Sequence, residues 1–311
     1  MNIEAQLPPT AYDQLPYTSN PFPQTHPDRL ATIATLLGMQ PPPIERCRVL
    51  ELGCASGGNL APLACSLPHS EFVGLDLSAR QIAEGQKILA AVGLSNVTLQ
   101  QMDLLEVGAE LGQFDYIIAH GVFSWVPPQV QDKILAICRD HLTPTGVAYI
   151  SYNTYPGWRL HSAIRDMMLY HTRQTAEPGE RIAGARELLD FLADSIVADS
   201  TPQANFLHAY VHYVRERFLP AGDDAYLFHN ELAEINEPLY FYQFVEQAAR
   251  FGLRYLAEAE FQSMLVDNLP PDVAASAAAG GPTARLSWSS TWILCATALS
   301  AKPCCAIRKW P

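Results

Sequence analysis

The sequence predicts an α/β fold: an open, mostly parallel sheet flanked by helices, followed by a mainly helical second region. Three observations predict it. Between Cys47 and Asn153, short apolar runs of strand length alternate with amphipathic stretches of helix length. The first run empties into a turn of small residues, CASGG at 54–58, before a helix begins. After Tyr155 the strand pattern gives way to long helical periodicity. Strands separated by helices need crossover connections, and crossovers make neighbouring strands parallel.

The elements follow in order. Residues 1–40 form a proline- and aromatic-rich lead with a helix, DRLATIATLLGM at 28–39, stopped by Pro41, Pro42 and Pro43. Long and without a pattern of its own before that helix, the lead is suited to act as a lid. RVLELG at 48–53 is the first strand, and GGNLAPLACSL the helix after it. EFVGLDLS, VTLQQMDL, FDYIIAHGVF and TGVAYISYN are the next four strands. RQIAEGQKILAAVGL and VQDKILAICRDHL are the helices between them. This core is expected over 41–160. A helical region is expected over 161–272, from MMLYHTRQ, ARELLDFLADSI and FLHAYVHYVRERFL. YLFHNELAEINEPLYFYQFVEQAARFGLRYLAEAEF at 226–261 is read as two further helices with a turn at Glu237–Pro238. No internal repeat is present.

Composition narrows the function. Lys plus Arg number 20 against 32 acids, a net charge of −12, which argues against a chain that grips nucleic acid through its phosphates. No early apolar run has the length of a signal peptide or membrane span, so membrane insertion is not expected. The seven cysteines include no CxxC pair, which excludes the usual zinc spacings and gives no disulfide framework. No metal is expected, and a cytoplasmic setting is the expectation.

The chemistry concentrates at Val49-Leu50-Glu51-Leu52-Gly53-Cys54-Ala55-Ser56-Gly57-Gly58-Asn59. Small residues let a ligand approach the backbone where a strand passes into a helix. Glu51, two residues before the first glycine, would repel a pyrophosphate and suits a cationic ligand. Asp76 ends the second strand, where a ribose diol needs an acceptor. Asp103 ends the third, where an adenine amino group could donate to it. Glu51 and Asp103 count against a nicotinamide-dependent oxidoreductase.

ELGCASG resembles the first motif of class I S-adenosylmethionine (SAM) dependent methyltransferases, with Ala55 where many members have glycine. The resemblance implies a Rossmann-like SAM-binding sheet, SAM as cofactor and S-adenosylhomocysteine as product. It implies that Glu51, Gly53, Ala55, Gly57 and Asn59 line the methionine end. It also implies that Asp76 and Leu77 meet the ribose and adenine, that Met102 and Asp103 contact the adenine, and that His120 faces the transferring methyl. YDQLPYTSNPFPQTHPDRLATIATLLGM at 12–39, YNTYPGW at 152–158 and the 226–261 segment resemble one bacterial subgroup with a C-terminal methyltransferase regulatory domain. That subgroup includes enzymes that methylate lysines of outer-membrane proteins. The implied function is N-methylation of protein lysine, with a protein as partner. A small-molecule methyltransferase and a SAM-binding regulatory protein without turnover are the alternatives, because a fold does not choose its acceptor. Tyr12, Tyr17, Phe22, Trp125, Tyr152, Tyr155 and Trp158 could build an aromatic entrance that holds a lysine cation and favours its neutral form. Tyr17 as lid and Trp125 as wall join His120 as the catalytic candidates.

From about residue 273 the character changes, with Cys295, Cys304, Cys305, Trp288, Trp292 and Trp310 crowded near the end. Back-translating SWSSTWILCATALSAKPCCAI with permissive codons and re-reading it one nucleotide off yields LELEQYMDFVRNRTFRQTLLCH, similar to the subgroup's own continuation. Residues 273–311 are therefore expected to be a frameshifted, poorly ordered tail.

Overall fold

The computed structural model describes residues 10–198, 201–218, 224–264 and 304–309. They divide into two compact units. One holds residues up to 13, 19–158 and those from 235 onward; the other holds 14–18 and 159–234.

The first unit is built on a seven-stranded sheet: β1 Arg48–Leu52, β2 Glu71–Asp76, β3 Val97–Gln101, β4 Phe114–Ala119, β5 Leu142–Ser151, β6 Leu253–Glu258 and β7 Cys304–Lys309. The order is β3-β2-β1-β4-β5-β7-β6. The first five strands are parallel, as expected, and β7 runs antiparallel to both β5 and β6. The helices are α1 Ala11–Gln14, α2 Pro27–Leu36, α3 Leu60–Ser66, α4 Ala79–Ala91, α5 Pro128–His141, α6 Gly157–His171, α7 Pro178–Ser195, α8 Pro202–Phe218, the single turn α9 Asp224–Tyr226 and α10 Phe241–Arg250.

The central strands β1 and β4 are covered on both faces and buried over most of their length. Leu50, Leu52, Leu75, Ile117, Ala148 and Ile150 share one cluster with Ile134 and Leu135 of α5 and Phe244 of α10. Val49, Phe72, Leu99, Tyr116 and Ile118 share the other with Leu30 of α2, Leu60 of α3 and Ile82 of α4. Successive residues of β1 alternate between the two, the period-2 consequence of a pleated strand. Topology switches at β1, whose neighbours β2 and β4 lie on opposite sides. The carboxyl ends of strands at such a switch form a crevice, which is where open α/β sheets bind ligands.

The second unit packs one face each of α6, α7 and α8 around Ile164, Met168, Ile182, Leu189, Val211 and Val214. In α7 the buried positions Ile182, Ala185, Leu189 and Ala193 recur at helical spacing. The unit ends in a π-helical turn, Leu227–Glu231. Among the described residues no helix is long and apolar enough to cross a membrane, and no group of His, Cys, Asp or Glu is arranged to hold a metal.

Two expectations change. RYLAEAEF was expected to continue a helix, but α10 ends at Arg250 and Leu253–Glu258 is a strand. Gly252 lies at φ +71°, the left-handed terminator of a helix, and the chain re-enters extended behind it. The tail expected to be poorly ordered includes Cys304–Lys309, which instead forms β7, filling the position between β5 and β6. The rest of that expectation, over 273–303 and 310–311, lies outside the described residues.

Candidate functional site

Glu51 sits near the carboxyl end of β1 and is only 3% exposed. Its Oε1 accepts from Asn59 Nδ2 at 2.8 Å, while Oε2 is buried with no hydrogen-bond partner among the described residues. Burial pushes this carboxyl up to about 8; Asn59 opposes the rise and the nearby Asp76 carboxylate adds to it. Among the described residues no cation offsets this acid.

The turn beyond it is fixed from β2. The N–H groups of Gly53 and Cys54 both donate to the Leu75 carbonyl, at 2.8 and 3.1 Å. Gly53 takes φ +71°, and a Cβ there would lie 2.3 Å from Val122 Cγ2, so only glycine fits. Ala55 also lies in the left-handed region, at φ +50°, which costs a residue with a Cβ about 1–2 kcal/mol. Its N–H donates to Asp76 Oδ2 at 2.8 Å. Asp76 Oδ1 accepts the Ser78 N–H at 2.9 Å, so two backbone donors hold the carboxylate and the carboxylate holds the turn. Burial raises the Asp76 carboxyl, and these two donors oppose the rise.

The remaining expected ligand residues line the same edge. Leu77 follows Asp76 and is 41% exposed, an apolar side chain left open beside the crevice. Met102 is half-buried, its N–H bonded to the Asp76 carbonyl at 2.9 Å. Asp103 caps a short 3₁₀ turn by accepting the Leu105 N–H at 2.9 Å. Gly57, at φ +75°, closes the turn onto Leu99. His120, just past β4, pairs through Nδ1 with the Tyr149 hydroxyl at 2.9 Å, and its ring centroid lies 3.7 Å from that of Phe22.

Phe22, expected as part of an aromatic entrance, and three residues that sequence reasoning passed over, Thr25, Ser19 and Asp13, complete the site. Phe22 N–H donates to Asn59 Oδ1 at 2.8 Å, and Thr25 is fully buried against the same amide. Ser19 Oγ accepts the Gly58 N–H at 2.9 Å. Asp13 Oδ1 accepts from the Ser78 hydroxyl at 2.6 Å and the Arg80 N–H at 3.2 Å, at the start of α4. Asp13, Ser19, Phe22 and Thr25 of the lead are thus tied to the turn after β1 and to the loop after β2. Its repeated Asp, Ser and Thr were the available signal, but each polar residue of a loop carries that signal equally.

The aromatic entrance divides. Tyr152 is 2% exposed and stacks on Phe244 at 4.4 Å, a core position. Trp158 is 3% exposed and meets Trp125 edge-on at 5.8 Å. Tyr17 belongs to the second unit, where its ring lies edge-on to His229 at 5.9 Å. Tyr155 pairs with Tyr240, ring centroids 5.3 Å apart.

Residues 50–148 match a family described as a methyltransferase domain, and 223–285 match one described as a predicted methyltransferase regulatory domain. The uncharacterized protein RP028 of Rickettsia prowazekii is 40% identical over 79% of this chain and 96% of its own length. The chain belongs to the class I SAM-dependent methyltransferases that carry a methyltransferase regulatory domain. A second protein of that organism, RP789, is 44% identical over 84% of this chain and 46% of its own length. PKMT2 from Rickettsia typhi, solved in complex with AdoHcy, superposes with a TM-score of 0.82 at 35% identity, covering 94% of this chain and 55% of that one. This methyltransferase chain therefore spans about half the length of RP789 and of PKMT2.

Proposed function

We propose that the chain transfers a methyl group from SAM to the side-chain amine of a protein lysine. The observation that carries the reading is the buried Glu51 carboxylate with its unpartnered Oε2. An orphaned acceptor in a dry pocket is costly, and a ligand ammonium removes that cost. The donor set fits SAM at two further points. The glycine-lined turn leaves room for a ligand at the backbone, and Asp76, rigidly held by two N–H groups, keeps one lone pair on each oxygen for a diol.

SAM, when bound, supplies a methyl group on a sulfonium that an amine displaces in line; the C–N bond forms as the C–S bond breaks. The chain supplies alignment for that displacement. In this reading Glu51 holds the ammonium, Gly53, Ala55 and Gly57 admit the methionine end, and Asp76 holds the ribose. Leu77, Met102 and Asp103 flank the adenine. His120, held by Tyr149 and Phe22, faces the acceptor side. Lysine as acceptor rests on the resemblance of 12–39, 152–158 and 226–261 to the subgroup that includes lysine methyltransferases. In this reading Trp125, edge-on to Trp158, and Tyr155, beside Tyr240, hold a cationic side chain before it loses its proton.

Calorimetric titration of SAM and AdoHcy into the purified chain, beside Glu51→Ala and Asp76→Ala, tests the cofactor half. Saturable binding that both substitutions weaken is expected; binding indifferent to both would overturn it. Transfer of radiolabelled methyl groups from SAM into protein, with hydrolysis yielding methyl-lysine, tests the acceptor half. Label confined to small molecules would overturn it.

A further inference from the structure

Asn59 stands at the N-cap position of α3 but does not cap it; its side chain makes no bond to the first turn of the helix. It turns instead into a fully assigned buried network. One Nδ2 proton goes to Glu51 Oε1 at 2.8 Å and the other to Thr25 Oγ1 at 3.0 Å. The Thr25 hydroxyl donates its own proton to the Phe22 carbonyl at 2.8 Å, and Asn59 Oδ1 accepts the Phe22 N–H at 2.8 Å. The amide has one possible orientation. Flipped, it would set an NH₂ against the Phe22 N–H, donor facing donor.

The same amide therefore grips two things that chain distance separates: the acid of the turn after β1 and the backbone of the lead. Phe22, pinned in this way, lies with its ring 3.7 Å from that of His120. Ser19 and Asp13 hold the lead at two further points, on Gly58 and on Ser78 with Arg80. A hydrogen bond to an ionised carboxylate is about twice as strong as one to a neutral acid. Whatever ionises Glu51 thus tightens Asn59, and through it the lead.

We infer that Asn59 is a positioning residue that couples cofactor occupancy at Glu51 to the docking of residues 19–26, so that an ammonium on Glu51 stabilises the lead with Phe22 against His120. The inference rests on the cofactor reading above and adds the direction of coupling. Because coupling is reciprocal, a lead that cannot dock must also weaken the cofactor. Among the described residues, the titratable groups that act on Glu51 or feel its charge are Asp76 from β2 and Cys54 from the turn.

The test is hydrogen exchange of peptides covering residues 17–27, with and without AdoHcy, together with AdoHcy affinity as a function of pH. In the intact chain AdoHcy slows exchange of these amides. In Asn59→Ala, AdoHcy binds about tenfold more weakly, the lead gains no protection, and the half-maximal pH for binding rises, because Glu51 has lost the donor that favours its charged form. Thr25→Val keeps the Glu51 contact; it loses lead protection while its pH profile matches the intact chain. The inference is overturned if the intact lead is indifferent to AdoHcy, if Asn59→Ala retains the protection, or if its affinity falls equally at every pH. Glu51→Gln separates this from the cofactor reading. If that variant binds AdoHcy as the intact chain does, the reading itself fails; if it does not bind, only the Asn59 results bear on the coupling.

Discussion

Glu51 of the sheet unit and Glu231 of the helical unit are both buried, and the two are treated oppositely. Glu51, in the sheet unit, faces a neutral amide and a second acid, Asp76. Glu231, in the helical unit, is 1% exposed and meets His161 Nε2 at 2.9 Å, with Arg165 close enough to feel its charge. Arg165 in turn donates to the Ala233 carbonyl, and Arg181 to the Leu232 carbonyl at 3.1 Å, so cations hold the segment just beyond the π turn that carries Glu231. Glu231 has a cation, Arg165, within the fold, whereas among the described residues no cation acts on Glu51. A buried acid with an internal cation is satisfied by the fold, and a buried acid without one is, in the proposed function, completed by a ligand that brings the cation.

The comparison breaks most visibly at Glu231. Glu231→Ala leaves the buried His161 and Arg165 facing an empty site and should cost about 3–5 kcal/mol, read as a lowered denaturation midpoint by circular dichroism. An effect under about 1 kcal/mol would mean that the pair is solvated and the contrast is false.

Glu51→Gln should move stability the other way. With an ordinary value of 4.5 and a folded value of about 8, Glu51 is neutral in both states below pH 4.5 and costs nothing there. As pH rises further, the unfolded chain ionises while the folded one keeps its proton. Stability therefore falls by about 1.4 kcal/mol per unit until about pH 8, roughly 3 kcal/mol by pH 7. Gln imitates the protonated acid, so the cofactor-free variant should melt higher than the parent at pH 7, equal it near pH 4.5, and lose AdoHcy binding. Equal melting at both pH values would show that Glu51 is not held neutral.

The same linkage sharpens the ligand side. An ammonium needs the ionised acid, so AdoHcy binding should release a proton at pH 7, and affinity should rise about tenfold from pH 6 to 7 before levelling near 8. Calorimetry in buffers of different ionisation enthalpy counts the proton; a count near zero would remove the ammonium from Glu51.

The smallest effect belongs to Asp13, a half-buried acid. Burial acts to raise its carboxyl, but hydrogen bonds from Ser78, Thr10 and Arg80 outweigh it and pull the group down to about 2. Being depressed, it contributes stability above the ordinary carboxylate range that disappears as pH falls toward 2. Asp13→Asn should cost under about 1 kcal/mol near neutrality, and its difference from the parent should vanish in acid.

Much of the molecule is legible in local sequence pattern. The five parallel strands, the turn at 53–58 and the acids at 51, 76 and 103 follow from it, because strand period, glycine demand and carboxyl-end placement are local properties. β6 is not legible in this way: LRYLAE carries helix-forming residues, and only the sheet edge beside β7 selects the extended state. Nor is the internal role of Asn59, since its partners Phe22 and Thr25 lie 37 and 34 residues away.

The sequence by itself determined the class of sheet, the cofactor chemistry at its switch point and the membership of the regulatory segment. Each is written in the identity and spacing of neighbouring residues. Only the tertiary structure decided which buried acid lacks a counter-charge and which amide joins that acid to the lead. Tyr152 and Trp158 likewise became core rather than entrance only when the fold was formed. Burial and long-range hydrogen bonding exist only once segments far apart in the chain exclude water from one another.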